Sequence, residues 1–113
     1  MAVRKELLDY ILEQLKRVTP VRAKAMFGGY GIYAGEHFFA LVAGESLYLK
    51  VDDTNRPDYE RLGTRIFQPY AEGMALPYFE LPLDMLEDTE ELRSWVEKSV
   101  DVARRKPKKK KGR

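Results

Sequence analysis

A series of short apolar runs between residues 25 and 51 limits the possible folds more than any other feature of the sequence. The runs are rich in aromatic and β-branched residues, which favour strands. They lie at residues 26–27, 31–33, 38–42 and 47–51. Glycine-containing turns separate them, at residues 28–29, 34–36 and 43–46. Strands that are this short and this closely spaced connect through tight hairpins, so the pattern predicts an antiparallel meander.

Amphipathic helices are predicted on both sides of this meander. Apolar residues recur every three or four positions near the start of the chain, which is the spacing of one helix face. This first helix is expected to span residues 4–18 and to end before Pro20. A last helix is expected to begin at Asp88 or Thr89, with two glutamates in its first turn. Its buried stripe is expected at Leu92, Trp95, Val96, Ser99, Val100 and Ala103.

The segment between the meander and the last helix is expected to add a short helix and one or two strands. Residues 56–62 follow polar capping residues at positions 52–54, contain an early proline and end at Gly63. Strands are expected around Phe67 and at residues 76–81, with Pro77 and Pro82 at strand ends or on an edge. Helices on one face of an antiparallel sheet define an α+β fold.

The aromatic residues are expected to divide between the core and the surface. The sheet–helix interface is expected to contain Phe27, Phe38 or Phe39, Phe67, Phe79 and Trp95. An exposed side is expected for Tyr30, Tyr33, Tyr48, Tyr70 and Tyr78. A base-stacking surface needs cations among its rings, and the pattern places only Lys50, beside Tyr48, in such a position. The pattern therefore favours a structural role for most of the rings.

Charge is distributed unevenly along the chain. Residues 104–113 hold eight of the 20 basic residues and none of the 18 acidic ones. Residues 1–103 therefore carry twelve basic against eighteen acidic residues, a formal charge of −6. Blocks of like charge repel one another and stay solvated. We therefore predict one folded domain over residues 1–103 and a disordered basic tail over residues 104–113.

The basic tail is the candidate nucleic-acid contact. Its cations are Arg104, Arg105, Lys106, Lys108, Lys109, Lys110, Lys111 and Arg113. Lysine and arginine side chains that neutralise phosphates release counterions, and such contacts carry no sequence preference. The alternative is that the first three cations complement the dipole of the last helix, while the remaining ones only keep the chain soluble.

The composition argues against most kinds of chemistry. The chain has no cysteine and one histidine, so disulfides, thiolate catalysis and cysteine-ligated metals are excluded and a histidine metal site lacks a second ligand. No serine lies in a nucleophile motif. The glycines at positions 28, 29 and 31 precede strand formers, so a turn or bulge is favoured over a phosphate loop. We expect a cytoplasmic, non-enzymatic protein without metal, cofactor or membrane contact.

A specific combination of motifs resembles that of a known family. The first motif is M-F-G-G-x-G-[IL]-Y at residues 26–33, and the second is L-Y-L-K at residues 47–50. Further matching pieces follow in the expected order at residues 38–42, at Phe67 and Tyr70, and at residues 78–82 and 86–88. Over about residues 7–103 the sequence resembles the TfoX N-terminal domain family, named after the TfoX/Sxy regulators of natural competence.

The resemblance implies a small α+β domain in a bacterial cytoplasmic protein, without known catalysis or cofactor. It also implies a role in transcription, because the full-length regulators act on competence genes together with the cyclic-AMP receptor protein. Those regulators carry a second, helical domain where this sequence has only the basic tail. The matching residues are expected to be mainly structural: Met26, Phe27, Gly28, Gly29, Gly31, Tyr33, Leu47, Tyr48, Leu49 and Lys50.

Two functions remain open from the sequence. One is a regulatory module that contacts nucleic acid through its tail and a transcription regulator through its folded domain. The other is a protein-interaction or self-associating module, a homodimer included, in which the tail has no nucleic-acid role. Lys50 has two corresponding roles: it pairs with Asp52 or Asp53, or it presents a cation on the open face of the sheet.

Overall fold

The computed structural model describes residues 3–26, 28–68 and 75–105. The strands are β1 (Arg22–Met26), β2 (Gly29–Ala34), β3 (His37–Ala43), β4 (Ser46–Lys50), β5 (Ile66–Phe67) and β6 (Leu76–Leu81). The helices are α1 (Lys5–Leu15), α2 (Arg56–Leu62) and α3 (Thr89–Arg105), with a short 3-10 helix at Leu83–Glu87. The strands form one antiparallel sheet in the order β1-β2-β3-β4-β6-β5. The predicted meander and the α+β fold class are confirmed.

The main core lies between one face of the sheet and the helices. Strand alternation turns Leu47 and Leu49 of β4 toward this face, and both are fully buried. The helices supply the opposing layer, with Leu7, Leu8, Ile11 and Leu15 from α1 and Leu92, Val96 and Ala103 from α3. Each fully buried leucine contributes about 1.5–3 kcal/mol, so this inner face supplies most of the apolar stabilisation.

A bulge in β3 adds one more buried side chain of this strand to the main core. Ile32 pairs with Ala40 but the next residue of β2, Tyr33, pairs with Phe38, so Phe39 is left over. Phe39 and Ala40 are consecutive, yet both are fully buried in the main core. An extra residue shifts the alternation by one, which explains why this strand reads as a continuous apolar run.

A second, smaller apolar cluster lies on the other side of the sheet, which we call the outer face. Its buried members are Leu41, Phe67 and Tyr78, with Phe38 and Tyr48 packed against them. Among the described residues, every member of this cluster lies on a strand. Placing Phe67 in the sheet–helix interface is therefore wrong, because its pairing in the two-residue strand β5 turns it outward. The exposed side predicted for Tyr78 is also wrong, because Tyr78 lies opposite Lys50 in the interior of the sheet.

Pro77 lies in an interior strand and not on an edge. β6 is flanked by β4 and β5, where a residue without a backbone N–H costs a ladder hydrogen bond. The pairing of β5 with β6 shifts at this point, since Ile66 pairs with Phe79 and Phe67 with Leu76. Pro77 falls within the shift, and its carbonyl accepts a 2.9 Å hydrogen bond from the Val51 N–H. The irregularity therefore removes the need for the missing donor.

The two long helices differ from their predicted bounds at their C-terminal ends. α1 ends at Leu15, three residues early, and the Val18 N–H closes a turn onto the Leu15 carbonyl at 2.9 Å. α3 begins after Asp88, whose carboxylate accepts from the N–H groups of the next turn, and it continues to Arg105. That is two residues past the predicted boundary, and the rest of the predicted tail lies outside the described residues. No helix in the described ranges is long and apolar enough to cross a membrane.

Candidate nucleic-acid interface

The glycine motif shapes the β1–β2 hairpin. Gly28 has a φ of 76°, a left-handed conformation that side chains rarely adopt. A Cβ on Gly29 would collide with the backbone carbonyl oxygen of Val42 on β3. Gly28 and Gly29 therefore have the turn conformation and the close backbone approach that glycine allows. Of the remaining motif residues in this segment, Met26, Gly31 and Tyr33 lie on β1 and β2, and Phe27 lies outside the described residues.

The L-Y-L-K motif forms β4 and serves both faces of the sheet. Leu47 and Leu49 enter the main core, while Tyr48 and Lys50 point to the outer face. The Lys50 ammonium lies 5.7 Å from the centre of the Tyr78 ring, which is within the range of a cation–π contact. This contact is on the open face of the sheet, as one of the two interpretations of Lys50 predicts.

The backbone of Lys50 also anchors two helices. Its carbonyl accepts hydrogen bonds from the Asn55 side-chain amide at 3.1 Å and from the Ser99 hydroxyl at 2.8 Å. Both side chains are buried, so these bonds satisfy groups that have no access to water. Ser99 lies on α3 and Asn55 immediately precedes α2. The end of β4 is thus fixed relative to both helices.

A row of three aromatic rings with a cation at each end crosses the outer face. The Arg22 guanidinium lies 4.9 Å from the centre of the Tyr33 ring, and that ring stacks on Phe38 at 5.1 Å. The centre of the Phe38 ring lies 5.8 Å from that of Tyr78. The Tyr78 ring contacts the Lys50 ammonium, which is the last group of the row. Burial raises the pKa of Tyr78 to about 12, so its hydroxyl stays neutral.

A second row, parallel to the first, follows the strand register. Lys24 pairs with Gly31, Gly31 with Leu41, Leu41 with Tyr48, and Tyr48 with Glu80. Directly opposed residues share a face of the sheet, so this register places Lys24 and Tyr48 on the same surface.

The second row ends beside a cavity. Arg65 donates to the Glu80 carboxylate at 3.2 Å and closes the row at the β5 edge. A cavity of about 360 Å³ lies there, and its described lining is Tyr48, Arg65, Ile66 and Gln68. Its volume falls at the lower end of the range for small-ligand sites. The cavity places open space beside a half-buried aromatic ring.

The charge of the outer face is opposite to that of the domain. Among the described residues, the side chains assigned to this face include four cations and one carboxylate. They are Arg22, Lys24, Lys50, Arg65 and Glu80. Residues 1–103 as a whole carry −6. The arrangement therefore favours an anionic ligand on this face.

Two of the predicted tail cations belong to the folded domain. Arg104 pairs with Asp101 one turn earlier on α3, at 2.7 Å. Arg105 bonds both the Asp52 carboxylate and the Thr54 hydroxyl at 3.1 Å. Partial burial alone would raise the pKa of Asp52, but the bonds from Thr54 and Arg105 outweigh it and lower the pKa. The six remaining tail cations lie outside the described residues: Lys106, Lys108, Lys109, Lys110, Lys111 and Arg113.

A cavity of about 310 Å³ also lies between α2 and α3. Its lining includes the exposed Leu62, the indole of Trp95 and the Asp58 carboxylate. Asp58 accepts from Lys98 at 2.9 Å and from Arg61, and these contacts lower its pKa despite partial desolvation. Both cations of this cavity, Arg61 and Lys98, thus pair with Asp58. Within the described ranges no cluster of three His, Asp or Glu side chains could hold a metal ion.

Sequence reasoning missed the cations that matter most on the outer face. Arg22 and Lys24 lie outside the strands that the sequence predicts, because the first of these starts near residue 25. Arg65 lies before the strand that is predicted around Phe67. The signal was available in the alternation R-A-K-A-M, which places Arg22, Lys24 and Met26 on one side of a strand. Arg65 carries no comparable signal, since its position depends on the bond to Glu80 on a distant strand.

The family model of the TfoX N-terminal domain matches residues 13–103, which is most of the chain. The chain therefore belongs to this family, and the α+β fold agrees with that membership. Among curated proteins, no sequence matches this chain.

Proposed function

We propose that the chain is a non-enzymatic regulatory module that contacts nucleic acid without sequence preference through its basic C-terminal segment. The observation that carries the proposal is the charge block at residues 104–113, with eight cations and no carboxylate. Arg104 and Arg105 are paired within the domain, so the cations available for phosphate are those from Lys106 onward. Phosphate contacts of this kind position a protein on nucleic acid and do not read bases.

The test is a salt series on duplex DNA with the full chain and with a variant that replaces lysines 108–111 by glutamine. Each phosphate contact contributes about 0.9 to the slope of log K against log salt, so the variant is expected to lose up to about 3.6 units. The control for position is K16Q/R17Q, which removes two exposed cations just after α1 and is expected to leave the slope unchanged. Equal slopes for all three proteins contradict the proposal.

The regulatory part of the proposal concerns a protein partner. Family membership supports a folded domain that contacts a transcription regulator such as the cyclic-AMP receptor protein, and a role in competence genes extends from the same resemblance. Titration calorimetry of the full chain against that receptor, with and without cyclic AMP, measures the contact directly. Absence of heat in both titrations removes the partner from the proposal and leaves the nucleic-acid contact to be judged separately.

A protein-interaction or self-associating module is the second candidate. It is favoured by β1, an edge strand that within the described sheet pairs only with β2. An open edge accepts a further strand through backbone hydrogen bonds. Sedimentation at several concentrations distinguishes this candidate, since a dimer that persists in the glutamine variant of the tail would support it.

A further inference from the structure

The outer face brings rings, cations and a cavity together on one sheet surface. We propose that single-stranded nucleic acid binds across this face, with bases against Tyr48 and phosphates on Arg22 and Lys24. This site deepens the proposed nucleic-acid function and rests on it, but it uses residues other than those of the basic tail. Recognition is by phosphate charge and base stacking, which DNA and RNA strands share.

The first argument for this site is charge complementarity. The cations named above lie on a domain with a formal charge of −6 over residues 1–103, yet they gather on one face. Among the described residues Lys24 has no acidic partner, and the Arg22 guanidinium bonds only the Gly35 carbonyl and the Tyr33 ring. Arg65 differs, because its guanidinium donates two hydrogen bonds to the Glu80 carboxylate. Arg22 and Lys24, which have no acidic partner among the described residues, are therefore the cations available to phosphate.

The second argument is the pairing register of the strands. Lys24 on β1 and Tyr48 on β4 lie on the same row and are separated by three strand spacings. That separation is roughly 14 Å, because neighbouring strands lie about 4.8 Å apart. Each strand of duplex DNA advances about 3.4 Å per nucleotide, and a single strand stacked at the same spacing covers such a distance with about four nucleotides. The face therefore matches the length of a short single-stranded site.

The third argument is the arrangement of the aromatic side chains. Tyr33 is held between Arg22 and Phe38, so it orients a cation and offers little of its own ring. Tyr48 packs against Phe67 at 4.8 Å and borders the 360 Å³ cavity described above. A base that enters this cavity meets the Tyr48 ring, with the Arg65 guanidinium beside it. The arrangement supplies one stacking position at one end of the row and phosphate contacts at the other.

Other occupants fit these observations less well. A duplex keeps its bases stacked inside and cannot use the Tyr48 cavity. A second copy paired through β1 would bring Arg22 and Lys24 of both chains together, and like charges oppose such pairing. An acidic peptide would satisfy the cations but gains nothing from base stacking, so it serves as an outcome of the test.

The experiment measures fluorescence anisotropy of labelled dT15, rU15 and a hairpin duplex with the full chain and four variants. R22Q/K24Q is expected to lower the salt slope on both single strands by about 1.4 units, at about 0.7 per phosphate contact. Tyr48→Leu is expected to weaken single-strand binding about fivefold, as the loss of one stacked base predicts. K16Q/R17Q is the matched control with the same charge change, and the glutamine variant of lysines 108–111 reports on the tail.

The outcomes separate the two proposals. Loss in R22Q/K24Q but not in K16Q/R17Q supports the outer face, whatever the tail variant does. Loss in the tail variant alone, with the face variants unchanged, overturns the outer face and leaves the tail proposal standing. Binding of poly-glutamate with the same dependence on Arg22 and Lys24, and no effect of Tyr48→Leu on dT15, identifies an acidic protein and overturns the nucleic-acid assignment. Thermal melting checks each variant, and R22Q/K24Q alters only exposed positions, so it decides the question if Tyr48→Leu does not fold.

Discussion

The inner and outer faces of the sheet are made by the same strands but are completed in different ways. The inner face is closed by the helices, and its central residues Leu47 and Leu49 have no solvent exposure. The outer face carries a smaller apolar cluster and keeps half-buried rings and charged groups at its surface. A four-residue motif on β4 alternates between the two. Under the proposal for the outer face, stability and binding are encoded at neighbouring positions, so substitutions can separate them.

The largest expected difference between the faces is at Leu49 and Tyr48. Leu49→Ala leaves a cavity in the closed core and is expected to lower the free energy of unfolding by about 2–5 kcal/mol. Tyr48→Leu keeps an apolar side chain against Phe67, so the expected cost is below about 1.5 kcal/mol. Urea unfolding measures both. Equal losses would mean that the outer face is as tightly packed as the inner one.

A second comparison uses two glycines on β2. Gly29→Ala forces a Cβ against the Val42 carbonyl, and the backbone has to shift, at a cost of about 1–3 kcal/mol. Gly31→Ala meets the end of the flexible Met26 side chain at 2.8 Å, which can move aside, and the Phe38 ring at 3.0 Å, which has to shift by only a few tenths of an ångström. The second variant is therefore expected to melt at a higher temperature than the first. The reverse order would contradict the assignment of Gly29 as the position of close backbone approach.

A third prediction concerns the anchor between α3 and the end of β4. Ser99→Ala removes the 2.8 Å bond to the Lys50 carbonyl, which keeps its second bond from Asn55. The expected loss is about 0.5–1.5 kcal/mol. Ser94→Ala, at an exposed position of the same helix, is the control and is expected to stay within about 0.5 kcal/mol of the parent chain. A Ser99 variant as stable as the control would show that the anchor is dispensable.

The smallest expected effect is the pH dependence of the pair formed by Asp52 and Arg105. The folded-state pKa of Asp52 is lowered, so its contribution is present above the unfolded pKa of about 3.9 and is lost as the pH falls through the folded value. Both side chains are more than a third exposed, so solvent screening limits the pair to about 1 kcal/mol or less. Arg105→Gln is expected to reduce the fall in stability between pH 5 and about pH 2 by up to that amount. The measurement is the melting temperature of the parent chain and of Arg105→Gln at each pH. An equal fall in melting temperature for both proteins over this interval would show that the pair contributes nothing.

The sequence was sufficient to predict the helices and strands in which apolar residues recur at a regular spacing. The meander, the inward face of β4 and the start of α3 after Asp88 are all set by alternation, helical spacing or a local cap, and these signals lie within a few residues. Gly28 of the glycine motif is similar, because the turn of the β1–β2 hairpin requires its left-handed conformation. Such features need no knowledge of distant residues.

Features that depend on distant partners could not be predicted. The outward position of Phe67 is set by its pairing in a two-residue strand, and Pro77 is tolerated only because that pairing shifts. The extension of α3 to Arg105 is accompanied by bonds to Asp52 and Thr54, some fifty residues earlier in the chain. The proposed outer-face site depends on distant partners only in part: local alternation places Arg22 and Lys24 on one side of β1, but the strand register brings Lys24 into the row of Tyr48.

The bond from Arg105 to Asp52 also fixes a point of attachment. It holds the last described turn of α3 against the loop that follows β4, so every residue after Arg105 begins from that place. Under the two proposals, a strand held by those residues is tethered to the domain that carries the second site. The second contact is then intramolecular, so it strengthens binding whenever one strand reaches both sites. Overall affinity is therefore expected to rise with oligonucleotide length until both contacts are engaged.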